Sequence, residues 1–564
     1  MKSRKILVVL VFAVIFQAGL HAQTAARQTG LTRLLIDLQQ GKSPDGNVKP
    51  PKCGTATMAL ILAQWDQMSL QQRAEFERVI QRPDLQTSRL SPSGRFRIHY
   101  DTTGANEPAL LSDGLRVPNS HEAYVDSLGM IFDYCWTFEV DTLGFHPPPT
   151  DGTEGGGPEY DVYIWEYFGG TFGETFYDQS QPLNSGLPQR FTSFIRIEND
   201  FLGYRTAGMD GLRVTAAHEF HHGIQLGAYG LWSLADRYFN ELTSAWMEDA
   251  VFTNVNDYFY DIPDYFLSFR DASNRSLGFT TFSFSFPGYE RSIWGHFLAK
   301  RFGRLIMTDI WQQCKTEPVL QSMQDVLIGH GSDVPTEFSL FSHWNYFTAD
   351  RADSAHYYPE GKFYPRFRPN ISTTLAGPTM TMSSQAFVLS CSMEEFKRSA
   401  DTVMAIVTNA DLAAAQQLDV SPKNFSVKLT TAPVNEPHQI LSDGRNAVFT
   451  ADNPASWNVS YSLSSTSSAP VTLTAASPNP LNLNSALSLR LPVNDDPNTE
   501  AQVLLLSSSF DLLYSSEYTV TREFGMNAVV VPTADFRSKV ASGVCFVFVK
   551  TQNFDYRWKV ALIR

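Results

Sequence analysis

Cysteine is scarce. The chain has five in 564 residues, an odd number and far too few for the disulfide frameworks of small extracellular modules, so its stability must come from apolar packing. Basic clusters are also lacking, and the formal net charge is −14. That balance argues against a nucleic-acid surface, and no nucleic-acid partner is expected. Charged residues make up 18% and aromatics 13%, which excludes a disordered chain. No glycine-rich nucleotide loop or serine-nucleophile elbow is present. Long apolar runs are missing too: the one at 6–16 is too short for a comfortable membrane span. It follows Lys2, Arg4 and Lys5 and leads to the small residue Ala22, so residues 1–22 read as a secretory signal peptide. No cysteine follows the cleavage point to suggest a lipoprotein.

Against these absences stands one dense segment, His218-Glu219-Phe220-His221-His222, followed by Asn240-Glu241 and Glu248. On a helix, residues i and i+4 share a face, so His218 and His222 can offer two imidazoles to one metal ion, with Glu219 beside it. The flanks Val214-Thr215-Ala216-Ala217 and Ile224-Gln225-Leu226 suit a buried helix and contain no proline. A catalytic zinc site commonly takes three protein ligands and leaves one position open, and Glu241 is the candidate third ligand. The interval from His222 to Glu241 contains the turn signal Tyr229-Gly230 and is long enough for the chain to reverse into a second helix. On that helix Glu241, Ala245 and Glu248 share a face, so Glu248 can hydrogen-bond and orient a liganding imidazole. His221 points away from the common centre and reads as a bystander.

The His218-Glu219-x-x-His222 motif with Glu241 resembles that of the gluzincin zinc metallopeptidases. The Asn240-Glu241 pair is similar to the pair that carries the third ligand there. Pro287-Gly288-Tyr289-Glu290-Arg291-Ser292 resembles the segment whose tyrosine stabilises the oxyanion, which makes Tyr289 the candidate for that role. The resemblance implies an α+β zincin catalytic domain: a mixed twisted sheet, the motif helix and a helical lower half of the cleft. It also implies that the strand before the metal helix, here Ser193 to Asn199, lies at the cleft edge, where an extended peptide can pair with it. Glu198-Asn199 lacks the glycine and methionine that precede a free-amine-recognising pair in aminopeptidases, which favours an endopeptidase. Zinc would acidify a water and polarise a substrate carbonyl, and Glu219 would act as general base.

Cys53 lies in Pro50-Pro51-Lys52-Cys53-Gly54-Thr55, which resembles the cysteine-switch segment of matrixin propeptides. The resemblance implies a thiolate in the open metal position and a latent zymogen; a free or disulfide-linked cysteine in an N-terminal helical module is the alternative. Residues 23–93 read as a pro-region, with an amphipathic stretch at 67–80 and a polar, cleavable one at 81–89. Cys135, in an apolar helical stretch, reads as a core residue.

The catalytic domain is expected over 94–365, opening with a strand at 95–100 and a helix at about 120–145. A Pro/Gly-rich loop at 147–158 carries Asp151 and Glu154, which could ligate a structural calcium ion, and a strand follows at 161–165. A helix from Ser292 to Phe302 ends at Gly303, and its His296 reads as a core-edge residue. From 366 onwards short alternating segments predict all-β sandwich domains, one at 366–465 and an immunoglobulin-like one at 471–564, with a Ser/Thr-rich linker between them. Ser477-Pro478-Asn479-Pro480, Ala501 to Leu506, Ala541 to Phe546 and Lys559 to Arg564 resemble the C-terminal sorting domains of bacterial type IX secretion, although Cys545 stands where tyrosine is usual.

Together these features predict a monomeric zinc endopeptidase, secreted or held on the outer-membrane surface of a Gram-negative bacterium. Its expected partners are a peptide or protein substrate and the type IX machinery. Two alternatives stand beside that prediction: a catalytically idle surface binding protein on the same scaffold, and a zinc hydrolase of non-peptide substrates.

Overall fold

Alternation in Phe96-Arg97-Ile98-His99-Tyr100 puts the odd side of the run indoors, and in the computed structural model Phe96, Ile98 and Tyr100 are buried while Arg97 and His99 are half-buried. The structure describes residues 52–55 and most of 68–564; the larger stretches left out within the latter are 268–287, 416–422, 432–438 and 463–480, with shorter segments elsewhere. The signal peptide, most of the Ser/Thr-rich linker, the Ser477 to Pro480 segment and Pro287 lie outside the described residues.

A helix α1 (Leu70–Val79) opens the continuous part, its first turn closed by a reciprocal capping box between Ser69 and Gln72. Five strands then make one sheet: β1 (Thr87–Leu90), β2 (Phe96–Tyr100), β3 (Tyr160–Trp165), β4 (Gly173–Tyr177) and β5 (Ser193–Glu198), in the order β1-β2-β3-β5-β4. The two central pairings, β2 with β3 and β3 with β5, are parallel, and the two outer ones are antiparallel. The sheet therefore begins inside the stretch read as pro-region, since Thr87–Leu90 pairs antiparallel with Arg97–Tyr100. The strand expected at the cleft edge is also different. Ser193–Glu198 is internal, flanked on both sides, and the edge is Gly173–Tyr177, a short run whose glycine start gives little strand signal.

Helix α2 (His121–Trp136) covers the sheet and continues as a wider π-type turn over Thr137–Thr142. It carries Cys135 in the core, as expected. Helix α3 (Gly208–Ile224) follows β5 and continues to Tyr229, ending at Gly230 with φ of 87°, a left-handed value that suits glycine. Almost every residue of α3 from Gly211 on is buried, so it crosses the core. Helix α4 (Arg237–Val251) packs against it. Helices α5 (Ser292–Phe302), α6 (Leu305–Gln313), α7 (Val319–Gly329) and α8 (Val334–Trp344) complete a helical layer around Trp294, Phe297, Trp311 and Phe341.

The chain divides into two compact units. The first holds the elements above and a further five-stranded sheet built from Ile371–Thr374, Ser390–Arg398, Asp401–Asn409, Gln439–Ser442 and Asn446–Ala451. Met393 and Ile406 of that sheet join the same apolar core as Phe338 and Trp344. The second unit holds a three-stranded sheet and a seven-stranded one running from Leu481–Asn482 to Asp555–Ile563, around Leu489, Val503, Val529, Val547 and Val560. The stretch 366–465, read as one sandwich, is thus shared between the units. All five cysteines are free and buried.

Candidate metal centre

Helix α3 presents His218 and His222 one turn apart, and α4 brings Glu241 to face them. The two imidazole Nε2 atoms are 3.1 Å apart. Glu241 Oε2 lies 3.4 Å from one and 3.5 Å from the other. Cys53 Sγ joins them: the four ligand atoms of Cys53, His218, His222 and Glu241 all lie within 4.8 Å of one another, and all four residues are buried. A tetrahedral ion with bonds of about 2.0–2.3 Å separates its ligands by roughly 3.3–3.7 Å; the two carboxylate–imidazole spacings fall in that range and the imidazole pair lies just below it.

Tautomer logic makes the same point independently. His218 Nδ1 is 2.7 Å from Glu248 Oε1, an acceptor-only atom, so that nitrogen carries the proton. His222 Nδ1 is 2.8 Å from Gln225 Oε1. The amide orientation of Gln225 is fixed because its Nε2 donates to the Asn240 carbonyl at 3.0 Å and reaches Thr243 and Ser244 hydroxyls at 2.9 and 3.1 Å. Both histidines therefore donate from Nδ1 and turn Nε2 lone pairs toward each other. In addition, Glu241 Oε2 is buried with no hydrogen-bond partner. Two lone pairs and an orphaned carboxylate oxygen around one point are a donor set that could hold a metal ion. Without an ion the cluster draws a proton in its place. Burial opposes charge on His218, but the Glu241 and Glu248 carboxylates outweigh it and raise its pKa to about 10. Burial likewise opposes ionised Glu241, yet His222 and His218 bring it down to about 2.

The sequence-predicted neighbours are in place. Glu219 is buried beside the cluster, its Oε2 accepting from Thr175 Oγ1 at 2.7 Å. Tyr289, on a short turn leading into α5, lies with its ring 5.6 Å from that of His218, and its hydroxyl accepts from the Cys53 N–H at 3.0 Å. Cys53, Ala245 and Tyr289 form one small apolar contact group; the small side chain at 245 is what lets the other two approach. Burial, followed by Glu219 and Glu241, pushes the Cys53 thiol well above its ordinary range, so a thiolate there calls for a compensating cation.

Two glycines permit the close approach of these elements. A Cβ on Gly173 would stand 2.7 Å from Thr215 Cγ2 and 3.1 Å from Glu219 Cγ, so strand β4 can lie on α3 only without a side chain there. Gly288, at φ of 133°, would drive a Cβ to 2.8 Å from the Tyr238 carbonyl and 3.0 Å from Glu241 Cβ.

Other candidates lie elsewhere. His221 pairs with Glu139 at 2.9 Å and packs edge-on to Phe145, as its offset foretells; burial pulls it well below its ordinary value and pushes Glu139 well above. His296 stacks on Tyr258 and burial lowers it to about 3. Glu198 accepts from the Tyr167 N–H and the Tyr204 hydroxyl, and Asn199 donates to the Ala105 carbonyl. Asp151, a candidate calcium ligand, is held by the guanidinium of Arg82. Among the described residues the Cys53 cluster is the one group of His, Cys, Asp and Glu side chains gathered as metal ligands.

Sequence reasoning passed over Gln225, Thr175, Lys52 and Asp257. Gln225 carries a usable signal, because it stands three residues after His222 on the same helical face. Lys52 Nζ lies 2.5 Å from both Glu248 and Asp257, with all three side chains nearly inaccessible to solvent. No protein-family model matches the chain, and no curated protein matches it.

Proposed function

We propose that this protein is a secreted zinc metallopeptidase that hydrolyses internal peptide bonds and is made as a zymogen whose Cys53 closes the metal site. The observation that carries the reading is the pair of imidazole lone pairs and the orphaned Glu241 oxygen converging on one buried point. Two imidazoles, a carboxylate and a thiol form a donor set that suits zinc, with His218, His222 and Glu241 as the ligands of the working enzyme. When bound, zinc supplies acidification of water and polarisation of the scissile carbonyl.

The protein's own residues supply the rest. Glu219, steadied by Thr175, takes the proton of the attacking water and returns it to the departing amine. The Tyr289 hydroxyl donates to the oxyanion that develops on the carbonyl. Glu248 and Gln225 fix the ring orientation of the two histidines. The free edge of β4 offers main-chain groups to an extended substrate, as it does to residues 52–54: Phe172 N–H donates to the Lys52 carbonyl at 2.8 Å and Gly54 N–H to the Gly173 carbonyl at 3.4 Å. The basic start and apolar run of residues 1–22, and a tail resembling type IX sorting domains, support action outside the cell.

A Cys53→Ser, Gly54→Ala double variant tests both halves. It removes the thiol, and its added Cβ would lie 1.7 Å from a Glu174 carboxylate oxygen, so the segment or the Glu174 side chain must move, which loosens the segment in the cleft. Incubated with a mixed peptide library, it should cleave internal bonds at least 100-fold faster than the unaltered full chain. Adding Glu219→Gln at equal zinc content should abolish cleavage. A zinc-loaded double variant that cleaves no peptide overturns the reading.

A further inference from the structure

Residues 52–55 meet the site one after another. Lys52 reaches Glu248 and Asp257, Cys53 enters the ligand cluster, Gly54 packs against Glu174, and Thr55 lies 3.5 Å from Glu219 through its hydroxyl. The segment runs beside the start of β4, with two main-chain hydrogen bonds and an isolated parallel bridge between Cys53 and Gly173. It thus occupies the cleft in the manner of a bound peptide, and each of its side chains reports what the cleft accepts at that distance from the metal.

The Lys52 position is the informative one. Its ammonium sits 2.5 Å from Glu248 Oε2 and from Asp257 Oδ2, and 5.3 Å from the centre of the Phe172 ring. Burial disfavours the charge, and the carboxylates of Asp257 and Glu248 compensate it. Behind this slot, Arg205 pairs with both Asp257 and Asp261. When Lys52 leaves, three carboxylates therefore face one guanidinium. Buried carboxylates that lose their partner are costly, so the emptied slot favours another cation of the same shape. All of its walls come from residues 172–261, and they stay when the pro-segment goes.

We propose that the slot between Glu248 and Asp257 is a substrate subsite that takes the ammonium of a lysine adjacent to the scissile bond. The inference rests on the peptidase reading, because it assigns a specificity to that cleft. Lys52 immediately precedes Cys53, whose side chain enters the ligand cluster, so the recognised lysine flanks the bond that is cut. Glu248 links the subsite to the metal, since its other oxygen holds His218.

The test uses the Cys53→Ser, Gly54→Ala chain and an N-acetylated peptide library whose products are sequenced. Lysine should be enriched at least tenfold next to the cut bond. Asp257→Asn in the same background should lower the ratio of kcat/KM for lysine over norleucine peptides by at least tenfold. Binding supplies a readout independent of turnover: the acetylated peptide Pro-Pro-Lys-Ser-Gly-Thr should bind the released, metal-free chain at least tenfold more tightly than its norleucine analogue. Efficient internal cleavage with no lysine preference, together with equal binding of the two peptides, overturns the subsite and leaves the peptidase reading standing. Cleavage only of peptides with a free α-amine beside the bond also overturns it, assigning the slot to a chain terminus. Lysine-selective binding without any cleavage supports the subsite and counts against the peptidase.

Discussion

Gln225→Ala separates a residue that orients a ligand from one that merely fills space. The side chain is fully buried, accepts from His222 Nδ1 at 2.8 Å, and gives its amide protons to α4 at the Asn240 carbonyl and the Thr243 and Ser244 hydroxyls. Truncation frees the imidazole to turn, and loss of such a partner typically lowers metal affinity about 10–100-fold, or roughly 1.4–2.7 kcal/mol. The lower end applies here, because Ser244 Oγ already lies 3.2 Å from the same nitrogen and can take over part of the role. Folding suffers separately. Thr243 keeps its bond to the Phe239 carbonyl, so the main losses are the contact to the Asn240 carbonyl and the filled volume, together on the order of 2 kcal/mol. Competition with a chromogenic zinc chelator measures the first effect, and urea unfolding of the metal-free chain measures the second. Gln225→Glu is the decisive companion. It keeps an acceptor on His222 but loses the donor to Asn240, so it should retain zinc within about threefold of the native affinity while unfolding as easily as the alanine variant. An alanine variant with undiminished zinc affinity refutes the reasoning, and so does a glutamate variant that loses as much affinity as alanine.

Tyr289→Phe in the released chain should lower kcat about 10²–10³-fold, the usual cost of one oxyanion donor, with zinc content unchanged and KM little altered; a kcat within threefold of the parent removes Tyr289 from the mechanism. Glu174→Gln should show a pH signature. Burial raises the Glu174 pKa from 4.5 to about 7, against the opposing pull of Arg196 and the Tyr167 hydroxyl. The folded protein therefore holds this proton over a range in which the unfolded chain has released it. Its raised pKa costs nothing below about pH 4.5, and the penalty grows as pH rises to about 7 and then levels off. The glutamine variant, which never ionises, should match the native protein at pH 4.5 and exceed it by an amount on the order of 3 kcal/mol at pH 8. Parallel denaturation curves at both pH values contradict the assigned ionisation.

The parts of the site carried by local spacing were legible in the sequence. His218 and His222 needed only the helical repeat, and Glu241 and Glu248 needed only a second helix on the right side of a turn. Secondary structure followed similarly where patterns were strong, as in Phe96–Tyr100, Arg237–Val251 and Ser292–Phe302. What stayed hidden depends on contacts between distant segments. Nothing local distinguishes Lys52 from a surface lysine, because its partners Glu248 and Asp257 lie about 200 positions away. Nothing in Gly173-Glu174-Thr175 marks an edge strand, since the glycine is there for approach to Thr215 and Glu219 and weakens the strand signal it belongs to. The motif helix itself is buried on nearly every face, so amphipathic periodicity could not say which side carried the ligand cluster.

Four independent attachments hold residues 52–55 in the cleft, and their combined strength poses a question of release. Main-chain pairing to β4, the Tyr289 hydroxyl, the Lys52 ion pairs and the thiol at the metal would together make an occupant that competes well with substrate. Proteolysis resolves the conflict without breaking any of them first. While the chain is continuous, the segment faces the cleft at an effective concentration on the order of millimolar, as for a short tether. A cut between it and β1 turns the contact into a bimolecular one, and at micromolar protein the ratio of filled to empty cleft falls roughly a thousandfold. The sheet is untouched by such a cut, because its first strand starts at Thr87. In the proposed zymogen a cut in the polar stretch at 81–86 would therefore separate the segment while leaving the sheet that carries the site intact.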